Sequence, residues 1–196
     1  QLQALFDKQK EEDEAQKVEI KSFGESLNNA LASRVQELQK FRSEFFGRLS
    51  ELLENREEIQ IVGDRFVFQS EVLFAPGSAA IGLEGENQLE KLSLTLKEIA
   101  ASIPDDINWV LQVEGHTDIT PLSGGQYLDN WDLSTERSLS VVRYLIKQGI
   151  NPNRLSASGY GEFQPLKSNQ TNITENSDED LRRNRRIELK ITQRIE

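Results

Sequence analysis

The 196-residue sequence has no cysteine and a single histidine. Without thiols, structural disulfides and thiolate metal sites are excluded. The lone His116 has no partner at the spacing that a metal site or a general base requires, so it reads as a hydrogen-bonded structural residue. Long apolar runs are also missing, and nothing in the sequence can span a bilayer or act as a signal peptide. Positive charge is outweighed, with 23 Lys and Arg against 33 Asp and Glu and a formal net charge of -10. That balance argues against nucleic acid as the main partner. The one basic cluster, Arg182 to Arg186, follows an acidic run from Glu175 to Asp180 that offsets its field. The chain opens at Gln1 in a polar helical pattern, and we expect it to be the soluble piece of a longer protein with a membrane anchor upstream.

Proline is absent from residues 1–60, which hold only two glycines and are rich in Glu, Gln, Lys, Arg and Leu. These residues favour helix. Leu31, Leu38, Phe45 and Leu52 recur every seven residues, Val35 and Leu49 add the neighbouring row, and Phe41 widens it. Such a stripe needs a partner. Two outcomes fit: a solvated helix folded back on its own domain, or a self-associating coiled-coil neck. So long a helix cannot bury both ends on a small domain, so we expect the neck, and with it a homodimer through the N-terminal helix.

A break is expected over Asn55 to Gln60, and residues 61–196 then alternate between strand and helix patterns. Arg65 to Phe74 alternates apolar and polar as a strand should, with Phe66, Phe68, Val72 and Phe74 inside. Leu89, Leu92, Leu96 and Ile99 mark an amphipathic helix ending before Pro104. Ile107 to Val113 reads as a buried strand. Leu133 to Gln148 reads as a helix capped by Asp132, with Leu139, Val142 and Ile146 on its apolar face, widened by Val141 and Leu145, and ended by Gly149 and Pro152. Leu155 to Tyr160 and Arg186 to Thr192 complete the set. The expected class is α/β, a two-layer α+β sandwich of βαβαβ order with helices on one face of a small mixed sheet.

Chemistry concentrates between Val113 and Arg137. Asp118 ends an apolar strand, and Arg137 sits in the first turn of the next helix. Fixed on one rim, they suit a zwitterion with an ammonium at one end and a carboxylate at the other; an internal salt bridge between them is the plainer alternative. Glu114 lies four residues before Asp118 on the same strand, too far for paired-carboxylate catalysis. Gly159–Tyr160–Gly161 lacks the lysine and helix of a phosphate loop. No cofactor and no metal is expected.

Four ordered motifs carry a resemblance. They are VEGHTD (Val113 to Asp118), N-x-x-L-S-x-x-R (Asn130 to Arg137), G-Y-G-x-x-x-P (Gly159 to Pro165) and N-R-R-I-E (Asn184 to Glu188). Together they resemble the OmpA-like, or OmpA/MotB C-terminal, peptidoglycan-binding domain over roughly residues 64–193, with NWDLS and the insert Thr120 to Tyr127 closest to MotB-like envelope proteins. The resemblance implies that Asp118 holds the ammonium and Arg137 the carboxylate of diaminopimelate in the wall peptide. It also implies that Thr117 and Asn130 line the pocket and that Arg185 approaches from the last strand. Two departures stand out: the insert, and DEDLRR in place of the usual Gly-Arg pair before NRRIE.

The resemblance implies a periplasmic wall anchor for a membrane complex, with peptidoglycan and an inner-membrane protein as partners and either a stator-type subunit or a non-motor anchor as its form. A structural coiled-coil protein with a non-binding globular end is the alternative. A wall-processing enzyme would need a metal cluster, a nucleophile–base pair or two facing carboxylates, and none is apparent. If residues 1–60 form the neck, the full chain should sediment as a dimer and the 61–196 fragment as a monomer; two monomers would sink the neck.

Overall fold

The computed structural model describes residues 2–53, 59–103, 108–122, 125–166 and 177–193. They divide into two compact units, Gln1–Glu44 and Phe45–Glu196. The first belongs to helix α1, Leu2–Leu53. Ile20, Phe23, Leu27, Leu31 and Val35 follow one another at steps of three or four, and all are more than half exposed, from 52% to 69%. The apolar stripe therefore begins further upstream than the seven-residue spacing indicated. Leu38, Phe41, Phe45, Leu49 and Leu52 lie outside the described side chains. No described helix is long and apolar enough to cross a membrane.

The second unit is built on a five-stranded sheet. Its strands are β1 (Ile59–Val62), β2 (Arg65–Gln69), β3 (Trp109–His116), β4 (Leu155–Gly159) and β5 (Arg186–Gln193), in the order β1-β2-β5-β3-β4. Only β3 and β4 run parallel, and they are joined through helix α4 (Asn130–Lys147), so the sheet is mixed as expected. Helix α3 (Leu83–Ser102) buries Leu89, Leu92, Leu96 and Ile99, the face marked by their spacing. Tyr144 of α4 donates its hydroxyl to the Glu86 carbonyl at 3.0 Å, which ties the two helices side by side.

Three local features differ from expectation. Arg65–Phe74 is not one strand, because β2 stops at Gln69 and a helical turn, α2 (Ser70–Leu73), follows. The Ser70 amide donates to the Arg185 carbonyl and the Phe74 amide to the Ser70 carbonyl, closing the turn. Leu73 and Phe74 are then both buried, which strict strand alternation forbids. Strand β1 occupies part of the expected break, where four residues were too short a signal; Asn55 to Glu58 lie outside the described residues. Helix α4 starts three residues before Leu133, and its N-cap is Asp129, whose side chain accepts from the Asp132 amide at 2.8 Å.

The buried face of α4 matches the expected one at Val141, Val142 and Leu145 and departs from it toward the start of the helix. Ser134, Arg137, Ser138, Val141, Val142 and Leu145 are buried, whereas Ile146 is exposed. The cause lies in the sheet. Gly115 and Gly159 are direct partners across β3 and β4. A Cβ on Gly115 would stand 2.1 Å from the Ser134 carbonyl oxygen, and one on Gly159 would stand 2.2 Å from Thr135 Oγ1. Small residues on both sides let the first turns of α4 lie directly on the strands. Gly115→Ala should therefore destabilise the domain by about 2–3 kcal/mol through forced overpacking, read as a lower urea midpoint.

Candidate functional site

Where β3 ends, the chain turns away from the sheet and forms one wall of a cavity of about 350 Å³. All five residues expected at a site, Thr117, Asp118, Asn130, Arg137 and Arg185, line it, together with α2 and the insert residues Thr120, Pro121 and Leu122. Asp118 Oδ1 accepts from the Thr120 amide at 2.8 Å, a side-chain turn that fixes the carboxylate. Asn130, the first residue of α4, donates from Nδ2 to the Asp118 and Thr120 carbonyls at 3.3 and 3.1 Å. The Thr117 amide donates to the Gly161 carbonyl at 2.9 Å. Thr117 Oγ1 is buried against the cavity and finds no hydrogen-bond partner among the described residues.

The two guanidiniums play different parts. Arg137 lies about two turns into α4 rather than in its first turn, and Asp118 and Arg137 are each only 4% exposed. The expectation of an exposed rim is corrected: both are set into the wall of the cavity. Arg137 Nε donates to the Ser78 carbonyl at 2.8 Å, with longer contacts of 3.4 Å to Ser70 Oγ and the Ala75 carbonyl. Its guanidinium lies 5.2 Å over the Phe74 ring. Burial lowers its pKa from the usual arginine value, partly opposed by Glu71. Among the described residues no carboxylate pairs with it. Asp118 pairs instead with Arg185, whose Nη1 donates to Oδ2 at 2.5 Å while Nε donates to Glu71 Oε1 at 2.5 Å. Burial alone would lower the Arg185 pKa, but these two carboxylates raise it. Glu71 was missed in the sequence because the strand reading of residues 65–74 concealed the turn that carries it.

The cavity thus holds two guanidiniums, two carboxylates and a free hydroxyl. Residues 73–179 match the OmpA family. The chain belongs to that family. This OmpA-family domain is 34% identical over 143 residues to YtxE of Bacillus subtilis, covering 72% of this chain and 52% of the relative. It is 32% identical over 127 residues to outer membrane protein A of Bordetella avium, covering 65% of this chain and 57% of that one. The chain therefore spans about half the length of these relatives. Its fold is similar to the crystal structure of a MotB-like protein from Desulfovibrio vulgaris, with a TM-score of 0.69, 28% identity, and 82% and 96% of the two chains covered. It is also similar to the periplasmic domain of Helicobacter pylori MotB, with a TM-score of 0.56, 26% identity, and 70% and 82% covered.

The opposite face of this OmpA-family sheet carries a second charged group. The register places Glu114, His116, Arg186 and Glu188 side by side, all buried. Arg65 Nη1 donates to Glu114 Oε2 at 2.5 Å and also to Glu188, and Arg186 Nε donates to Glu188 Oε1 at 2.5 Å. Glu114, His116 and Glu188 each bring one ligand atom within 4.8 Å of the others. A cation placed there would compete with Arg65 and Arg186, which already neutralise both carboxylates. His116 is buried as expected, but neither ring nitrogen has a hydrogen-bond partner among the described residues, and the ring stacks on Tyr160 at 5.1 Å.

Burial and the nearby Arg186 push the His116 pKa down from 6.5 to about 3. Between pH 6.5 and 4.5 the unfolded chain binds a proton at this residue that the folded chain does not, so stability falls as pH falls. The expected loss is on the order of 2 kcal/mol over that window, opposed by Glu114, whose carboxyl is raised by burial. Denaturant unfolding at the two pH values should show it, and His116→Gln should flatten the dependence.

Proposed function

We propose that the domain binds peptidoglycan through the diaminopimelate of its stem peptide and anchors an envelope complex to the wall. The observation that carries this reading is the pairing, in one cavity, of a carboxylate fixed by two donors with a buried guanidinium that forms no ion pair among the described residues. Arg137 supplies the planar fork that a ligand carboxylate needs. Asp118 takes the ligand ammonium, sharing Oδ2 with Arg185, since a carboxylate offers several lone-pair positions. Thr117 Oγ1 gains the partner it lacks. Membership of the OmpA family and the likeness to MotB periplasmic domains support a periplasmic, wall-bound role rather than catalysis.

Each charge-assisted hydrogen bond contributes on the order of 1.5–3 kcal/mol, so a single site is expected in the micromolar to millimolar range. Firm attachment then needs several copies. A dimer formed through the exposed stripe of α1 supplies that avidity. The anchored complex is of stator type if an upstream membrane helix carries an ionisable residue, and non-motor otherwise.

Calorimetric titration with a diaminopimelate-containing muropeptide, against a lysine-containing control, tests the reading. Binding of the first alone is expected; binding of neither would leave the family assignment standing and remove the anchor. Asp118→Asn should reduce affinity at least tenfold with little change in melting temperature. Arg137→Ala should abolish binding and also cost about 2 kcal/mol of stability, because the Ser78 carbonyl loses its buried donor. The conservative Arg137→Lys, which keeps the charge but not the fork, should fold and still bind poorly.

A further inference from the structure

We propose that Trp131 and Phe163 form a second subsite, an aromatic platform for a pyranose ring of the wall glycan. The inference rests on the reading of the pocket as a site for the stem peptide.

The two rings stack with centroids 5.4 Å apart and planes 24° from parallel. They are nevertheless 47% and 62% exposed, unlike Trp109, which is buried. Leu128 and Leu166 are exposed beside them in the sequence, so two short segments, 128–131 and 163–166, contribute four large apolar side chains to the surface. Among the described residues of this unit, the other exposed large apolar side chains are Leu83, Leu94 and Ile146, single on helices, and the neighbours Ile61 and Val62 on β1. Large apolar groups held in water in this way mark an interaction surface.

The platform is prebuilt. Trp131 occupies the first turn of α4, whose N-cap is satisfied. Ser134 Oγ donates to the Trp131 carbonyl at 3.0 Å and accepts from the Gly161 amide at 3.0 Å, linking the helix to the loop that carries Phe163. Gly161 itself has φ +55°, a left-handed turn that aims the loop back toward α4. A ligand arriving there orders little that is not already fixed.

Its position says what the ligand is. Trp131 follows Asn130, which lines the pocket and holds the Asp118 carbonyl. Gly161 accepts from Thr117 at the pocket wall, and the Leu166 amide donates to Asn184 Oδ1, next to Arg185. Each support of the platform is thus a pocket residue or its neighbour. In the wall polymer, two stem residues separate diaminopimelate from the amino sugar, an extended reach on the order of 10 Å. A stem peptide seated on Asp118 and Arg137 brings the sugar over the adjoining surface. The apolar C–H face of a pyranose matches an exposed aromatic face, while its hydroxyl and acetamide groups stay in water.

Titration with two diaminopimelate ligands, a disaccharide-peptide and the same peptide without sugar, tests this. The wild-type chain should prefer the disaccharide form about tenfold, the scale of one aromatic contact. Trp131→Ala and Phe163→Ala should each erase that preference and leave affinity for the sugar-free peptide unchanged, while Trp131→Phe keeps most of it. Equal wild-type affinity for both ligands, or a preference that survives Trp131→Ala, overturns the platform and leaves the pocket intact. Binding of the disaccharide form alone, lost in Trp131→Ala, supports the platform and overturns the pocket. Binding of neither overturns both.

Discussion

The direct contact between α4 and the paired glycines of β3 and β4 is the constraint on which the site depends. With no Cβ at Gly115 or Gly159, the Ser134 backbone reaches the sheet. That approach fixes where α4 begins and brings Asn130 to the loop after β3. It also swings Arg137 toward α2 and the 74–79 turn rather than toward the solvent. Apolar residues in those glycine positions would lift the helix by a side-chain layer and pull the two walls of the cavity apart. Ser134 and Ser138, both fully buried, are the helix's share of the same fit.

Register is the second constraint. β3 and β5 pair from Trp109–Gln193 to His116–Arg186, so the residues just beyond the pairing, Thr117 and Asp118 after one strand and Arg185 before the other, meet at the same end of the sheet. A slip of one residue would send every side chain to the opposite face. The buried charged cluster opposes such a slip, because this alignment brings Arg65 and Arg186 onto Glu114 and Glu188. Buried ion pairs contribute little net stability against apolar replacements. The cluster and the pocket therefore lie at the same end of this pair of strands, on neighbouring residues.

Much of this was legible in the sequence. Helix α3 announced itself through Leu89, Leu92, Leu96 and Ile99, because a single apolar stripe against a sheet leaves a clear period. Four ordered motifs singled out five residues in the sequence, and one cavity gathers all five. What was not legible depends on contacts made far along the chain. The turn α2 exists because Ser70 bonds the Arg185 backbone, over a hundred residues away, so a local alternation suggested strand instead. Val141, Val142 and Leu145 of α4 were legible by their apolarity, but Ser134 and Ser138 were not, because glycine partners on the sheet demand small residues whatever their polarity. The depth of Asp118 and Arg137, and the choice of Arg185 as the partner of Asp118, follow from the fold around them and leave no trace in spacing.

Under the proposed function, one cavity reads both ends of a zwitterion. The most direct measurement is a crystal structure of the chain grown with meso-diaminopimelate at saturating concentration. One ligand is expected in the cavity, its ammonium within hydrogen-bond distance of Asp118 and its carboxylate on the Arg137 guanidinium, with Thr117 Oγ1 in contact. A cavity left empty, or a ligand that meets Arg185 alone while Arg137 keeps only its backbone partners, would contradict it.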